Sequence, residues 1–170
     1  MDLREVWEFI KDTSGIILII IFVILLKIFV ITPISVVGDS MKGTVNDEDW
    51  LLMEMISPKF KIKRFDVVVC NGTNPKYIVK RVIGLPGDTI EFKDNKLYLN
   101  NQETKEPYLK PEIITADMEK VTIPEGKYFV VGDNRGVSID SRRDGPYEKD
   151  HILGKVVMRI WPLKGLKFIK

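Results

Sequence analysis

The sequence predicts a mainly β domain that follows a single N-terminal membrane helix. The segment from Thr13 to Gly38 contains one charged residue, and the stretch from Ile16 to Leu26 is unbroken aliphatic or aromatic. Beyond Gly38 the pattern changes to short β-like runs divided by Gly, Pro, Asn and Asp, which is typical of all-β or mainly β domains. A length of 170 residues allows one such domain with a small appendage.

The apolar run predicts a transmembrane anchor over residues 14–33. A helix from Ser14 to Thr32 would be about 28 Å long, close to the roughly 30 Å hydrocarbon core of a bilayer. Pro33 would then end the helix, because proline lacks the N–H that a helix interior needs. The alternative is a cleavable secretory signal, whose apolar region is shorter, about 7 to 15 residues, and is followed by a small-residue cleavage site. No such site follows the run here.

Basic residues on either side of the anchor indicate its orientation. Arg4 and Lys11 precede the span and Lys42 follows it, and the cytoplasmic side of a span carries the excess of basic residues. Residues 1–13 are therefore expected in the cytoplasm, and residues 34–170 on the outer face of the cell membrane.

Runs with the composition of β-strands divide this outer part. They are Trp50–Ile56, Phe65–Cys70, Tyr77–Ile83, Thr89–Lys93, Lys96–Asn100, Lys127–Val131 and Lys155–Trp161. Between two of them, Asp94 and Asn95 predict a two-residue hairpin turn, since both residues tolerate positive φ. Residues 101–121 are polar, carry two prolines and predict a small inserted excursion from the main sheet system.

The composition argues against several classes of function. The net charge of +2 comes from 26 basic and 24 acidic residues, so the chain has no basic field suited to nucleic acid. Cys70 is the only cysteine and His151 the only histidine, so the clustered ligands of a zinc site are missing. We therefore expect neither a metal nor another cofactor.

Three clusters of glycines and polar residues stand out from this background. They are Gly38–Thr44 directly after the anchor, Lys80–Asp88, and Val131–Arg143. Each alone is compatible with an ordinary structure: a polar turn that leaves the bilayer, an edge strand with a solvated lysine, and a hydrogen-bonded loop.

Together and in this order, the clusters resemble the bacterial type I signal peptidases, serine proteases that remove signal peptides from exported proteins with a Ser-Lys dyad. The matching motifs are Gly-x-Ser-Met, then Lys-Arg-Val-Ile-Gly-x-Pro-Gly-Asp, then Gly-Asp-Asn-Arg followed by Ser-x-Asp-Ser-Arg. The resemblance spans nearly the whole chain. It implies a signal-peptidase-like antiparallel β-domain with signal-peptide-bearing preproteins as its substrates.

The resemblance also implies roles for single residues. Ser40 matches the nucleophile, Lys80 the general base, and Ser138 the serine that helps to orient the lysine. Four further residues match supporting positions: Asp140 and Arg142 as a structural ion pair, and Arg81 and Asp133.

The residues themselves support a lysine base. In a strand, Lys80 shares a face with Ile78 and Val82, because side chains alternate with period two. Burial among apolar neighbours disfavours the ammonium and lowers the pKa of the lysine, so it can accept a proton near neutral pH. A Ser-His-Asp triad would need His151, which lies in a charged segment expected to be a solvated turn.

The family resemblance implies cleavage after small residues of the Ala-x-Ala type. Small residues suit shallow apolar pockets, and the candidate lining residues are Met41, Val79 and Ile139. Two positions depart from the family pattern, since Gly43 replaces a proline and Val137 replaces an asparagine.

At a third position, Gly38 stands where some members have a serine hydroxyl that completes the oxyanion hole. Members with glycine there resemble the Gram-positive branch. The backbone N–H of Ser40 is then the expected oxyanion donor, and the sequence does not identify a second one.

Other interpretations stay open at this point. The chain is also compatible with a Ser-Lys protease for another membrane-proximal substrate, such as a pilin-type precursor. A self-cleaving repressor disagrees with the anchor, and a non-catalytic, membrane-tethered homologue that binds secretory partners disagrees with the presence of both Ser40 and Lys80.

The C-terminal tail predicts a contact with the lipid bilayer. Beyond Trp161, Pro162 and Gly165 interrupt the last strand, and basic and apolar side chains alternate in irregular backbone. Such a mixture suits the membrane interface, where tryptophan lies at the level of the headgroups and cations meet anionic lipid.

Overall fold

The computed structural model describes residues 2–29, 31–56, 61–72 and 77–169, which form an N-terminal helix followed by a β-domain. Within the described residues, the α-helices are α1 (Leu3–Phe29) and α2 (Ser141–Asp144). The strands are β1 (Ile31–Ser35), β2 (Trp50–Glu54), β3 (Val67–Asn71), β4 (Tyr77–Gly84), β5 (Thr89–Lys93), β6 (Lys96–Leu99), β7 (Gln102–Thr104), β8 (Met118–Thr122), β9 (Lys127–Val131), β10 (Tyr147–Glu148), β11 (Ile152–Trp161) and β12 (Lys167–Phe168).

The boundary between helix and sheet lies earlier than predicted. α1 ends at Phe29, and β1 pairs antiparallel with β2, with Thr32 opposite Met53 and Pro33 opposite Leu52. The prediction that the helix runs to Thr32 and is ended by Pro33 is therefore wrong. β1 is an edge strand, where a missing N–H is tolerated and β-branched residues such as Thr32 are favoured.

The middle of α1 is apolar on all sides. Every side chain from Ile16 to Leu25 is about half exposed or more, between 46% and 65%. Among the residues that the structure describes, no helix combines the length and the apolar character needed to cross a membrane.

The strands form two antiparallel sheets. The large sheet has the order β1-β2-β11-β3-β4-β9-β10, with β12 added to β11, and the small sheet has the order β7-β6-β5-β8. β4 pairs with β9 only from Arg81 onward, so the first residues of β4 have β3 on one side and no described strand on the other. β1 pairs with β2 alone.

All seven predicted strands are confirmed, with ends that differ by at most three residues. The predicted hairpin turn is also confirmed, since Asp94 and Asn95 have φ of 52° and 60° between β5 and β6. The excursion is more regular than predicted, because β7 and β8 lie at its two ends and complete the small sheet.

Three hydrophobic clusters form the core. The first lies around β1, β2 and β11, and the second joins the small sheet to the ends of β4 and β9. The third covers the other face of β3 and β4 and contains Val68, Cys70 and Val82, with Ile78 packed against it. Ile78 and Val82 share this face as predicted for the strand that carries Lys80.

The C-terminal tail is also more ordered than the sequence suggests. Leu163–Gly165 form a short 3₁₀ helix, β12 pairs with the end of β11, and Ile169 is buried in the first core cluster. Four apolar side chains of this end stay more than half exposed: Trp161, Leu163, Leu166 and Phe168. Lys170, part of the predicted membrane contact, lies outside the described residues.

Candidate active site

A groove of about 1060 Å³ runs along the edge of the large sheet. One wall is formed by residues 32–40, which include most of β1, and another by the first half of β4, which pairs with β3 and has no described strand on its other side. Ser40 and Lys80 both line this groove, so the fold brings the predicted nucleophile and the predicted base to the same surface.

Ser40 lies in a turn that the third motif holds from one side. The backbone N–H of Asn134 donates to the Ser40 carbonyl at 3.0 Å, and the Asn134 side-chain amide donates to the Asp39 carbonyl at 3.0 Å. The Ser40 hydroxyl donates to the Val79 carbonyl at 3.5 Å, next to Lys80 along the chain. The turn therefore fixes the backbone of Ser40 and leaves its hydroxyl in the groove.

Lys80 is almost fully buried, at 3% exposure, opposite Val68 in the β3–β4 pair. Burial lowers the pKa of its ammonium, and the negative charge of Asp140 raises it in part. No hydrogen-bond acceptor for the ammonium is found among the described residues. A lysine in this environment is neutral over a wider pH range than an exposed one.

Ser138 has the one buried side-chain oxygen without a hydrogen-bond partner in the described part of the chain. It packs against Gly132, as does the carbonyl of Ser40, and a side chain at position 132 would collide with both. Glycine is therefore required where the loop of the third motif meets the Ser40 turn.

Arg81 and Asp133 form a fully buried ion pair. It lies next to the end of the turn of residues 38–44, which carries Ser40 and which we call the nucleophile turn. The guanidinium donates to both carboxylate oxygens, at 3.0 and 2.8 Å, and the Thr44 hydroxyl donates to the same carboxylate. The arginine also donates to the Phe65 carbonyl at 2.8 Å and stacks on the ring of Tyr108. The second and third motifs are joined to the end of the nucleophile turn by these contacts.

Asp140 and Arg142 form the second predicted ion pair, with Nε and Oδ1 2.9 Å apart. Asp140 is also the N-cap of α2, and it accepts from the backbone N–H of Gly132 at 2.9 Å. Burial raises the pKa of Asp140, but the hydrogen bonds from Arg142 and Gly132, the nearby Ser138 hydroxyl and the charge of Arg142 together lower it by more, so the pKa lies below its usual value and the carboxylate stays ionised.

Two of the three predicted pocket residues line the groove. Val79 and the exposed side chain of Ile139 are in its lining, together with Val137. Met41 is not: it is buried in the first core cluster, and its sulfur accepts from the backbone N–H of Asp133. The prediction for Met41 is wrong because a turn after Ser40 points the next side chain into the core.

His151 is exposed, as the sequence predicts, in a 3₁₀ turn formed by Lys149–His151. It lies at the wall of the groove beside Tyr147, with the two rings perpendicular and 6.4 Å apart.

The sequence analysis missed four residues that hold the site together. They are Thr44, Glu106, Tyr108 and Asn134. Glu106 accepts from the buried guanidinium of Arg135 and from the hydroxyl of Tyr108. The position of Asn134 inside a long matching motif was a usable signal, but nothing in the polar segment of residues 101–121 marks Glu106.

The profile of the family described as signal peptidase, peptidase S26, matches residues 6–161. The chain belongs to this family. Its members are serine endopeptidases, so the chain is a hydrolase of that class.

Two relatives and one solved structure illustrate the similarity to signal peptidases. Signal peptidase I V of Bacillus subtilis is 41% identical over 151 residues, covering 81% of this chain and 90% of the relative. Signal peptidase IB of Staphylococcus aureus strain MRSA252 is 36% identical, covering 86% and 87%. The crystal structure of a signal peptidase I from Enterococcus faecalis V583 has a TM-score of 0.50 and 34% identity, covering 56% of this chain and 96% of that one.

Proposed function

We propose that this signal peptidase is a membrane-anchored endopeptidase that cleaves signal peptides from exported preproteins with Ser40 as nucleophile and Lys80 as general base. The observation that carries the proposal is a buried lysine with a lowered pKa that lines the same groove as a serine hydroxyl. Membership of the family supports the substrate class.

In the proposed mechanism, neutral Lys80 takes the proton of the Ser40 hydroxyl while the oxygen attacks the scissile carbonyl carbon. The resulting ammonium gives its proton to the leaving amine as the C–N bond breaks, which leaves an ester on Ser40. Lys80 then takes a proton from water, the hydroxide attacks the ester, and the proton returns to the Ser40 oxygen as the C–O bond breaks.

The backbone N–H of Ser40 is the proposed oxyanion donor. No acceptor for this N–H is found among the described residues, so it is available to a carbonyl oxygen in the groove. Gly38, two residues earlier, has φ of 92°, and its own N–H donates to Asp47 at 2.8 Å. Its N–H is therefore occupied and is not a second donor in this arrangement.

Ser138, Asp140 and Arg142 are proposed as positioning residues for Lys80. The buried hydroxyl of Ser138, which lies near Asp140 and meets no full hydrogen-bond geometry, supports a hydrogen bond to the lysine when substrate is bound. Asp140 holds the Ser138 loop through Gly132, and Arg142 reaches the carbonyls of Arg135 and Ser138. Arg81 and Asp133 are proposed to hold the nucleophile turn in place, through the hydrogen bond from Thr44 to Asp133.

The groove supports binding of the substrate as an extended strand. Its two walls, β1 and the first half of β4, both present an edge without a described neighbouring strand, and backbone hydrogen bonds can add a peptide to such an edge. We propose that Val79 and Ile139 line shallow pockets for the small residues of an Ala-x-Ala sequence.

We also propose, from the sequence of α1, that this helix attaches the β-domain to the lipid bilayer as a single span with its N-terminus in the cytoplasm, although its described part alone does not meet the length and apolar character of a span. Support comes from the continuous run of exposed apolar side chains between Ile16 and Leu25. The exposed Trp161 and Phe168 support a second lipid contact at the C-terminal tail.

The full chain, purified in detergent, should cut a preprotein immediately after its Ala-x-Ala sequence, as read by sequencing the new N-terminus. Ser40→Ala serves as the inactive control. No cleavage would favour a non-catalytic homologue, and cleavage only of other membrane-proximal precursors would favour a protease of different purpose. Carbonate extraction of membranes should leave the chain in the pellet, and release into the supernatant would contradict the anchor.

A further inference from the structure

A second cavity of about 200 Å³ is lined by the later part of the nucleophile turn, whereas the groove is lined by its earlier part, and the two share no lining residue. Two segments form it: the turn at Lys42 and Gly43, and part of the excursion, from Tyr108 to Ile113. Asp133 and Asn134 complete the lining.

We propose that this second cavity receives the first residues of the mature chain, just after the scissile bond, and that it favours an acidic side chain there. The inference rests on the proposed function, since it assigns the part of the same substrate that the groove does not hold.

The direction of the substrate follows from the position of α1. α1 contacts β1, and β1 lines the groove, so the groove is the part of the site nearest the proposed membrane span. The apolar part of a signal peptide lies in the bilayer beside that span. The segment before the cut therefore enters through the groove, and the chain beyond Ser40 leaves on the opposite side.

The second cavity begins where that departing chain would pass. Asn134 binds the carbonyls of Asp39 and Ser40, and it also lines the second cavity. Lys42 is two residues beyond the nucleophile and lines the same cavity.

The charges around the second cavity favour an anion. Lys110 reaches across to the nucleophile turn, since a side-chain carbon at Gly43 would lie 3.9 Å from its Cε. Lys42 is loosely paired with Asp39, at 3.8 Å, and both side chains are more than half exposed. Of the two acidic lining residues, Asp133 is already neutralised by Arg81. Glu112 is exposed and has no ion-pair partner among the described residues. The preference for an anion therefore rests mainly on Lys110, which has no ion-pair partner in the described part of the chain and reaches the turn next to Ser40.

The wall that carries Lys110 is fixed before any substrate binds. Tyr108 stacks on the buried Arg81, and its hydroxyl donates to Glu106, which is paired with Arg135. The Ile113 N–H donates to the Lys110 carbonyl at 3.0 Å and closes a turn. The backbone that carries Lys110 is therefore held beside the path of the substrate by a rigid frame.

The test compares three peptides that share an Ala-x-Ala sequence and carry Glu, Gln or Lys at the second position after the cut. The full chain in detergent micelles should cleave the Glu peptide with a kcat/KM about two- to fivefold above the Lys peptide, the size expected of exposed charge pairs. Lys110→Glu and Lys42→Glu should each shrink or reverse this ratio, whereas Lys93→Glu, an exposed lysine outside the second cavity, should leave it unchanged.

The outcomes separate this inference from the proposed function. If none of the three peptides is cleaved, both are overturned. If all three are cleaved at equal kcat/KM by the unsubstituted chain, the inference is overturned while the proposed function stands. A preference for Glu that both lysine variants leave intact also overturns it, because the cavity would not be its source.

Discussion

The middle and the end of β4 differ in what they bury. Where the end of β4 meets the small sheet, the core is apolar, with Ile90, Phe92 and Phe129 almost fully enclosed. A few residues earlier on the same strand, Lys80 and Arg81 are buried instead. One strand therefore contributes to an apolar core at its end and to a charged site at its middle.

The apolar core at the end of β4 stabilises the fold, whereas the buried charges at Lys80 and Arg81 belong to the candidate active site. Burying ionisable groups costs free energy unless each is paired, and apolar residues of similar size often stabilise a protein as well or better. Arg81 and Asp140 have close partners, whereas the ammonium of Lys80 has none among the described residues. The unpaired lysine is the group that the proposed mechanism needs in its neutral form.

One substitution in each region should have the largest effect on the free energy of unfolding. Phe92→Ala should destabilise the fold by about 3–5 kcal/mol through loss of apolar packing. Arg81→Met should cost a similar amount, about 3–5 kcal/mol, because it leaves Asp133 buried without its partner. Urea unfolding of the full chain measures both.

Activity then separates the two variants. In the absence of denaturant, folded Phe92→Ala should keep kcat/KM near that of the unsubstituted chain. Arg81→Met should lose up to about a hundredfold, since displacing a reacting group by about 1 Å has that effect. Equal activity losses in the two variants would contradict the division into a stability region and a chemistry region.

Gly43→Pro tests whether the nucleophile turn needs the backbone conformation of glycine. Proline, the family's residue at this position, needs φ near −65°, but the φ of Gly43 is 106°, which proline cannot adopt. The variant should therefore lose more than about 1 kcal/mol of stability and most of its activity, with Gly43→Ala intermediate. Thermal unfolding and peptide cleavage measure this. A folded, active and more heat-stable proline variant would contradict the glycine conformation.

The pH dependence tests the charges around Lys80. Because neutral lysine is the active form, kcat/KM should rise with pH through the pKa of Lys80, which burial holds below its usual 10.5. Asp140→Asn removes a charge that stabilises the ammonium, so this limb should move to lower pH. Arg142→Gln removes a repelling charge and should move it to higher pH.

Arg143→Gln is the matched control for these two variants, since Arg143 is exposed and is not among the groups that shift the pKa of Lys80. Its profile should superimpose on that of the unsubstituted chain. A limb that stays in place in both Asp140→Asn and Arg142→Gln would show that another group titrates.

Local patterns predicted much of the fold and of the candidate site. The strand that carries Lys80 was recognisable from its apolar neighbours, and the hairpin turn from Asp94 and Asn95. Asp140 and Arg142, two positions apart, form an ion pair where the family resemblance placed it. Each of these features depends on residues that are close in sequence.

The features that escaped prediction depend on distant partners. β1 continues an apolar helical run, and its strand conformation is set by pairing with β2. Met41 lies in the core because the chain turns after Ser40. Glu106 reaches the site through Arg135, which is 29 residues away in sequence, and through Tyr108. Sequence periodicity carries no information on such long-range contacts.

The most direct test of the central claim measures signal-peptide cleavage by Ser40→Ala, Lys80→Ala and the double variant. Because the two residues act as a unit, each single variant should fall to background, and the double variant should be no worse than either one. Circular dichroism should show the fold retained in all three, and His151→Ala should remain active. Substantial turnover by folded Lys80→Ala would contradict the Ser-Lys dyad.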